Sequence, residues 1–157
     1  MDDRSRLTSV ADFDVPGYCP GASILVLGIS PTLYREKPKK NATCNVVSRW
    51  MELVGAFAWD FHNVVPDVEN CSKMALVDVE ALLIAQMHRR KIVALGGFVS
   101  RVCERYNVPH YRIDHPSGRN HNLNDKDYRV RMLIRLHDYL WDGAPDPAGI
   151  VRIIDGA

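Results

Sequence analysis

Ala22 to Gly28 reads Ala-Ser-Ile-Leu-Val-Leu-Gly, a continuous apolar run closed by glycine. Such a run has neither the alternation of a half-exposed strand nor the length of a helix. It reads as a strand buried on both faces. Trp59–Val65, Lys91–Leu95 and Val108–Ile113 read as three further strands. Helix-forming stretches lie between them. Val46, Val47, Trp50, Leu53 and Val54 recur at helical spacing over Thr43–Gly55, where Gly55 can end the helix. Met74–Arg90 carries Leu76, Val79, Leu83 and Met87 on one face, and Gly96-Gly97 turns into a helix through Tyr106. Asn124 can cap a last helix to about Trp141, with Asp127 at its third position.

Strands alternating with helices predict an α/β fold, a three-layer αβα sandwich with a four-stranded mainly parallel sheet. The 157 residues fit one domain, with residues 1–21 as a lead-in and 142–157 as a tail in which Ile150–Ile154 can form a short edge strand. The run Met1–Arg6 is polar, which gives no sign of a secretory leader. No apolar stretch approaches the roughly 20 residues that cross a bilayer. The expectation is an intracellular chain with no membrane partner. Cys19, Cys44, Cys71 and Cys103 are widely spaced without a Cys-x-x-Cys pair, and read as reduced, mostly buried thiols. Twenty basic against nineteen acidic residues leave a net charge of +1, so bulk charge selects no partner.

Open parallel sheets bind ligands beyond the carboxyl ends of their strands, which directs attention to the loops that follow each run. The first opens Gly28-Ile29-Ser30-Pro31-Thr32. Glycine lets a ligand approach the backbone and proline fixes the turn. An ordinary strand-to-loop turn would read the same way. The second holds His62-Asn63-Val64-Val65-Pro66, where an amide offers both donor and acceptor, for a nucleobase edge or for a turn. The fourth is Asp114-His115-Pro116-Ser117-Gly118-Arg119-Asn120-His121-Asn122, dense in hydrogen-bonding side chains. Its histidine suits anion stabilisation, acid–base work or metal binding.

Taken in order, these segments resemble the uracil-DNA glycosylase superfamily over residues 22 to about 140. Asn63-Val64-Val65-Pro66 and Val93-Ala94-Leu95-Gly96 resemble segments of its thermostable bacterial branch. His115-Pro116-Ser117-Gly118-Arg119-Asn120 resembles the His-Pro-Ser-x-Arg-Asn motif of the single-strand-selective branch. The resemblance implies a DNA glycosylase that flips a uracil-like or C5-modified pyrimidine out of DNA, hydrolyses its N-glycosidic bond and leaves an abasic site. It implies DNA as partner, a monomer, and no cofactor. Gly28, Ile29, Pro31 and Thr32 would line the base pocket, and Asn63 would read the base edge. His115 would stabilise the departing anion. Ser117, Gly118, Arg119 and Asn120 would contact DNA, Arg119 by entering the duplex.

Three departures stand out. Ser30 occupies the place where many branches carry an aspartate or asparagine that orients water; a hydroxyl holds water but is a poor base. Thr32 stands where the classical uracil enzymes place a tyrosine that blocks C5 substituents, so a C5-modified base is admissible. The N-terminal Cys-x-x-Cys of the thermostable branch is absent, so no iron–sulfur cluster is expected. A non-catalytic base-sensing relative and an enzyme on free nucleosides or nucleotides are the alternatives. A serine hydrolase lacks its nucleophile elbow, since Pro31 and Thr32 follow Ser30. A zinc site on His110, His115 and His121 lacks the usual companion ligands.

Overall fold

The computed structural model describes residues 15–31, 33–34, 37–38, 42–68, 71–116 and 120–157. Four strands form one all-parallel sheet: β1 (Ile24–Gly28), β2 (Asp60–Asn63), β3 (Lys91–Leu95) and β4 (Tyr111–Ile113), in the order β2-β1-β3-β4. Among the described residues five helices accompany it: α1 (Ala42–Leu53), α2 (Val79–Gln86), α3 (Gly96–Arg105), α4 (Lys126–Leu140) and α5 (Pro147–Gly156). A short antiparallel pairing of Leu33–Tyr34 with Lys37–Pro38 interrupts the segment after β1, which reads from sequence as plain loop.

Alternation along the strands sorts the core into two layers. Ile24 and Val26 of β1, Phe61 of β2 and Val93 and Leu95 of β3 pack against α1, α4 and α5 through Val47, Met51, Leu133, Leu136 and Ile153. Leu25, Leu27, Ile92 and Ala94 face the opposite way, toward Leu82 of α2 and Val99 and Val102 of α3. Both faces are covered, which is why β1 and β3 read as unbroken apolar runs. The fold is therefore the three-layer α/β sandwich with a four-stranded parallel sheet. Cys44 lies in the first layer and Cys71 and Cys103 in the second, all buried; Cys19 is exposed.

Several elements differ from the sequence reading, each for a local reason. The helix expected over Met74–Arg90 is a single 3-10 turn, Met74–Leu76, followed by the shorter α2. Asp78 stops the first and starts the second, its Oδ1 accepting from the Ala81 N–H at 2.9 Å. The cap of α4 is Asp125 rather than Asn124, with Oδ1 accepting from the N–H of Asp127. Asn124 closes a 3-10 turn instead, and Asp127 is the second helical residue. Residues 150–154 are not an edge strand but lie within α5. Asp146 caps that helix through the Gly149 N–H and Pro147 occupies its first turn, an initiation signal stronger than the β-branched content of the segment. Strand β4 starts at Tyr111, because the Val108 N–H still returns to the Cys103 carbonyl of α3.

The amino ends of three strands are tied by one charged cluster. Asp60 opens β2, and its carboxylate accepts from Arg89 Nη2 (2.8 Å), the Gly21 N–H (3.0 Å), the Phe61 N–H (2.8 Å) and His62 Nε2 (3.3 Å). Arg89, just before β3, also donates to the Ala22 carbonyl just before β1. Both ion-pair side chains are nearly buried. Burial alone would raise the Asp60 pKa, but the bonds from His62, Gly21 and Arg89 outweigh it and hold the carboxyl well below the usual range. A depressed carboxylate contributes stability above its unfolded pKa and loses it as pH falls. Asp60→Asn is expected to lower stability by about 3 kcal/mol, because it strands the buried guanidinium. It is also expected to flatten the loss of stability below about pH 4. Denaturant unfolding across pH 3–7 measures both.

Candidate functional site

The strand order places a switch point between β1 and β3. The chain leaves β1 for β2 on one side, then returns to β3 and β4 on the other. Beyond the carboxyl ends of β1 and β3 the connections diverge to opposite sides, the usual ligand position in such sheets. Gly28 ends β1 on one side of it and Gly96 follows β3 on the other. Asn63 ends β2, one strand outward, and His115 follows β4, one strand outward in the other direction. With neighbouring strands about 4.8 Å apart, the strand ends that carry Asn63 and His115 stand about 14 Å apart.

Both glycines are required by what lies beside them. Gly28 is in register with Asn63. A Cβ on Gly28 would stand 2.5 Å from Cζ of Phe61 and 2.8 Å from Oδ1 of Asn63, so the missing side chain lets the Asn63 amide lie across the end of β1. Gly96 opens α3 with φ +86°, and a Cβ there would stand 3.0 Å from Cβ of His115. The close approach of β3 and the loop after β4 thus depends on glycine twice, in conformation and in space.

Asn63 and His115 are also the unengaged groups of this region. The Asn63 amide makes no hydrogen bond among the described residues, although it is only partly exposed. The same holds for the His115 ring. Other partly or fully buried histidines have partners: His62 bonds Asp60, His110 bonds Ser100 and the Val108 carbonyl, and His137 bonds Asp146. Desolvation lowers the His115 pKa below its usual 6.5, so the ring is neutral at pH 7.

Ser30 lies in the first loop, and its Oγ accepts from the Cys71 N–H at 2.8 Å. It thereby fastens the loop after β2 onto the loop after β1, while its own proton stays available to donate. Ile29 is held by the Val65 N–H on its carbonyl, and Pro31 is buried. Asn120 is committed inside its loop: Nδ2 donates to Asp114 Oδ2 (2.8 Å) and Oδ1 accepts from the Asn122 N–H (3.2 Å). Thr32, Ser117, Gly118 and Arg119 lie outside the described residues.

Sequence reasoning did not single out Tyr128. Its hydroxyl donates to Asp114 Oδ2 at 2.7 Å, so Asp114 receives Asn120 and Tyr128 together and braces the His115 loop against α4. The sequence signal was the polar residue itself in the first turn of a helix packed behind the loop. His110, His115 and His121 do not assemble a metal site: among the described residues no group of three His, Cys, Asp or Glu side chains is placed to hold an ion. No helix among them is long and apolar enough to cross a membrane. Comparison with known protein families, curated proteins and solved structures finds no match for the chain.

Gly28→Ala is expected to cost about 1–3 kcal/mol through overpacking against Phe61. It is also expected to shift the side-chain amide resonance of Asn63 while leaving that of Asn107, on the far side of the molecule's α3, in place. Denaturant unfolding and a two-dimensional amide spectrum of the variant check both.

Proposed function

We propose that the chain is a monofunctional DNA glycosylase that draws a uracil-like or C5-modified pyrimidine to the switch point and hydrolyses its N-glycosidic bond. The observation that carries this reading is the placement of two polar groups with no hydrogen bond among the described residues, the Asn63 amide and the neutral His115 ring, on either side of one switch point. An amide has the donor and acceptor that match the imide edge of a pyrimidine. A flipped base costs a few kcal/mol in lost stacking, which such a fitted reader offsets.

In the reaction the bond between C1′ and the base nitrogen breaks, and its electron pair leaves with the base. Water adds to C1′, and its proton is released as the abasic sugar and free base separate. Negative charge grows on the base oxygen, where a neutral imidazole N–H can donate. One preorganised donor of this kind contributes about 10²–10³ in rate. Ser30 donates its hydroxyl proton to the attacking water and positions it, but removes no proton efficiently. The same residue favours a second reading, a relative that senses a base without excising it, because its Oγ already serves the Cys71 N–H.

The test is alkali-sensitive strand breakage on oligonucleotides carrying uracil, thymine mismatches or C5-substituted pyrimidines, single- and double-stranded. Breakage at one class of base is expected, reduced about 10²–10³-fold by His115→Ala with binding kept. Binding without breakage on any base selects the sensing relative. Ser30→Asp, which preserves an acceptor for Cys71, is expected to raise uracil excision.

The pH profile follows from the lowered His115 pKa. The neutral ring persists as pH falls through 6.5, so the single-turnover rate is expected to hold level there and decline only in more acid solution. A rate that rises as pH drops through 6.5 would assign the work to a protonated group.

A further inference from the structure

A second surface with unsatisfied charge lies on the edge of the sheet away from the switch point. Among the described residues strand β4 pairs with β3 alone, which leaves its outer edge without a ladder there. Between that edge and α4 runs a groove of about 350 Å³. Arg112 of β4 and Arg131 and Arg135 of α4 line it, with Tyr111, Tyr128 and Met132; the Arg112 guanidinium lies at its rim, beside Gly97 and Arg101 in the first turns of α3, and one face of the Tyr111 ring is stacked on Tyr139. The three guanidiniums are exposed and make no hydrogen bond or ion pair among the described residues. The one carboxylate in the lining, Asp114, already accepts from Asn120 and Tyr128. In a chain whose net charge is +1, three uncompensated positive charges here are a local concentration. Arg131 and Arg135 stand four residues apart on one helix, an arrangement in which like charges repel and weaken the helix. Asp127, four residues before Arg131, and Asp138, three after Arg135, offset part of that repulsion, but neither forms an ion pair with them among the described residues.

We propose that this groove binds a single strand of nucleic acid, its phosphates on Arg112, Arg131 and Arg135 and its bases against Tyr111 and Tyr128. Guanidinium forks bind phosphate oxygens two at a time. Tyrosines interleaved with arginines are the composition of sequence-tolerant strand-binding surfaces. Asp114 at the upper end of the groove precedes His115, so a strand lying here leads toward the switch point. The choice of nucleic acid over an acidic protein segment rests on the proposed glycosylase reading; the uncompensated groove does not.

The test uses a labelled oligothymidine of about 20 nucleotides, which offers nothing to excise, with anisotropy read across a series of sodium chloride concentrations. Each phosphate contact contributes about −0.7 to the slope of log K against log salt for a single strand. Arg112→Gln/Arg131→Gln/Arg135→Gln is therefore expected to flatten the slope by about 2. Its melting temperature is expected to stay close to that of the parent, since all three side chains are exposed and form no ion pair among the described residues. Arg49→Gln/Arg105→Gln, exposed arginines elsewhere, is expected to leave the slope unchanged. An unaltered slope in the triple variant overturns the proposal, as does a poly-glutamate peptide that binds as tightly as the oligonucleotide. Because the probe carries no target base, a flattened slope sustains the groove even where the base panel shows no excision. Excision with an unaltered slope removes the groove and leaves the glycosylase standing.

Discussion

Burial of β1 and β3 on both faces is the constraint on which the remaining architecture depends. Val26 and Leu25 point into opposite layers of one strand and are both fully enclosed. No chemistry can be placed along the runs Ile24–Leu27 and Ile92–Leu95, because every side chain there is spent on packing. The polar work is displaced to the strand ends. At the amino ends it is saturated: Asp60 and Arg89 consume one another and the backbone groups around them. At the carboxyl ends it is left open, with Asn63 and His115 unengaged among the described residues on the two sides of the switch point. One end of the sheet is therefore fastened, and the other leaves its polar side chains free for the role proposed for them.

The same contrast explains the glycines and the loops. Gly28 and Gly96 each stand where a Cβ would strike a candidate site residue. They let the Asn63 side chain lie against the end of β1 and the His115 backbone lie against the start of α3. The loops are then stiffened from behind. Ser30 ties the second loop to the first, and Asp114 ties the fourth to α4 through Tyr128. Preorganised donors are effective in catalysis because they need no rearrangement as charge develops.

What was legible in the sequence follows from how local each signal is. The apolar runs of β1 and β3 announce themselves, since continuous burial needs continuous apolar residues. Helix α1 shows in the spacing of Val47, Trp50, Leu53 and Val54. Gly28, Asn63 and His115 were readable as candidates because each follows a readable strand. Helix α5 was misread from Ile150, Val151, Ile153 and Ile154, whose β-branched content hid the Asp146-Pro147 start signal. The Asp114–Tyr128 brace and the arginine groove were not readable. Their members come from β4 and α4 and meet only through packing, and a net charge of +1 conceals a local cluster.

The central claim is that Asn63 and His115 address one ligand. It is tested most directly by nuclear magnetic resonance, with the Asn63 side-chain amide and the His115 ring followed during titration with short single strands. These would carry 2′-fluoro-2′-deoxyuridine or its 5-methyl analogue, whose glycosidic bonds resist hydrolysis. The account predicts that both resonances move together along one binding curve for at least one of the two strands. Binding by both strands that leaves either residue unmoved would contradict it.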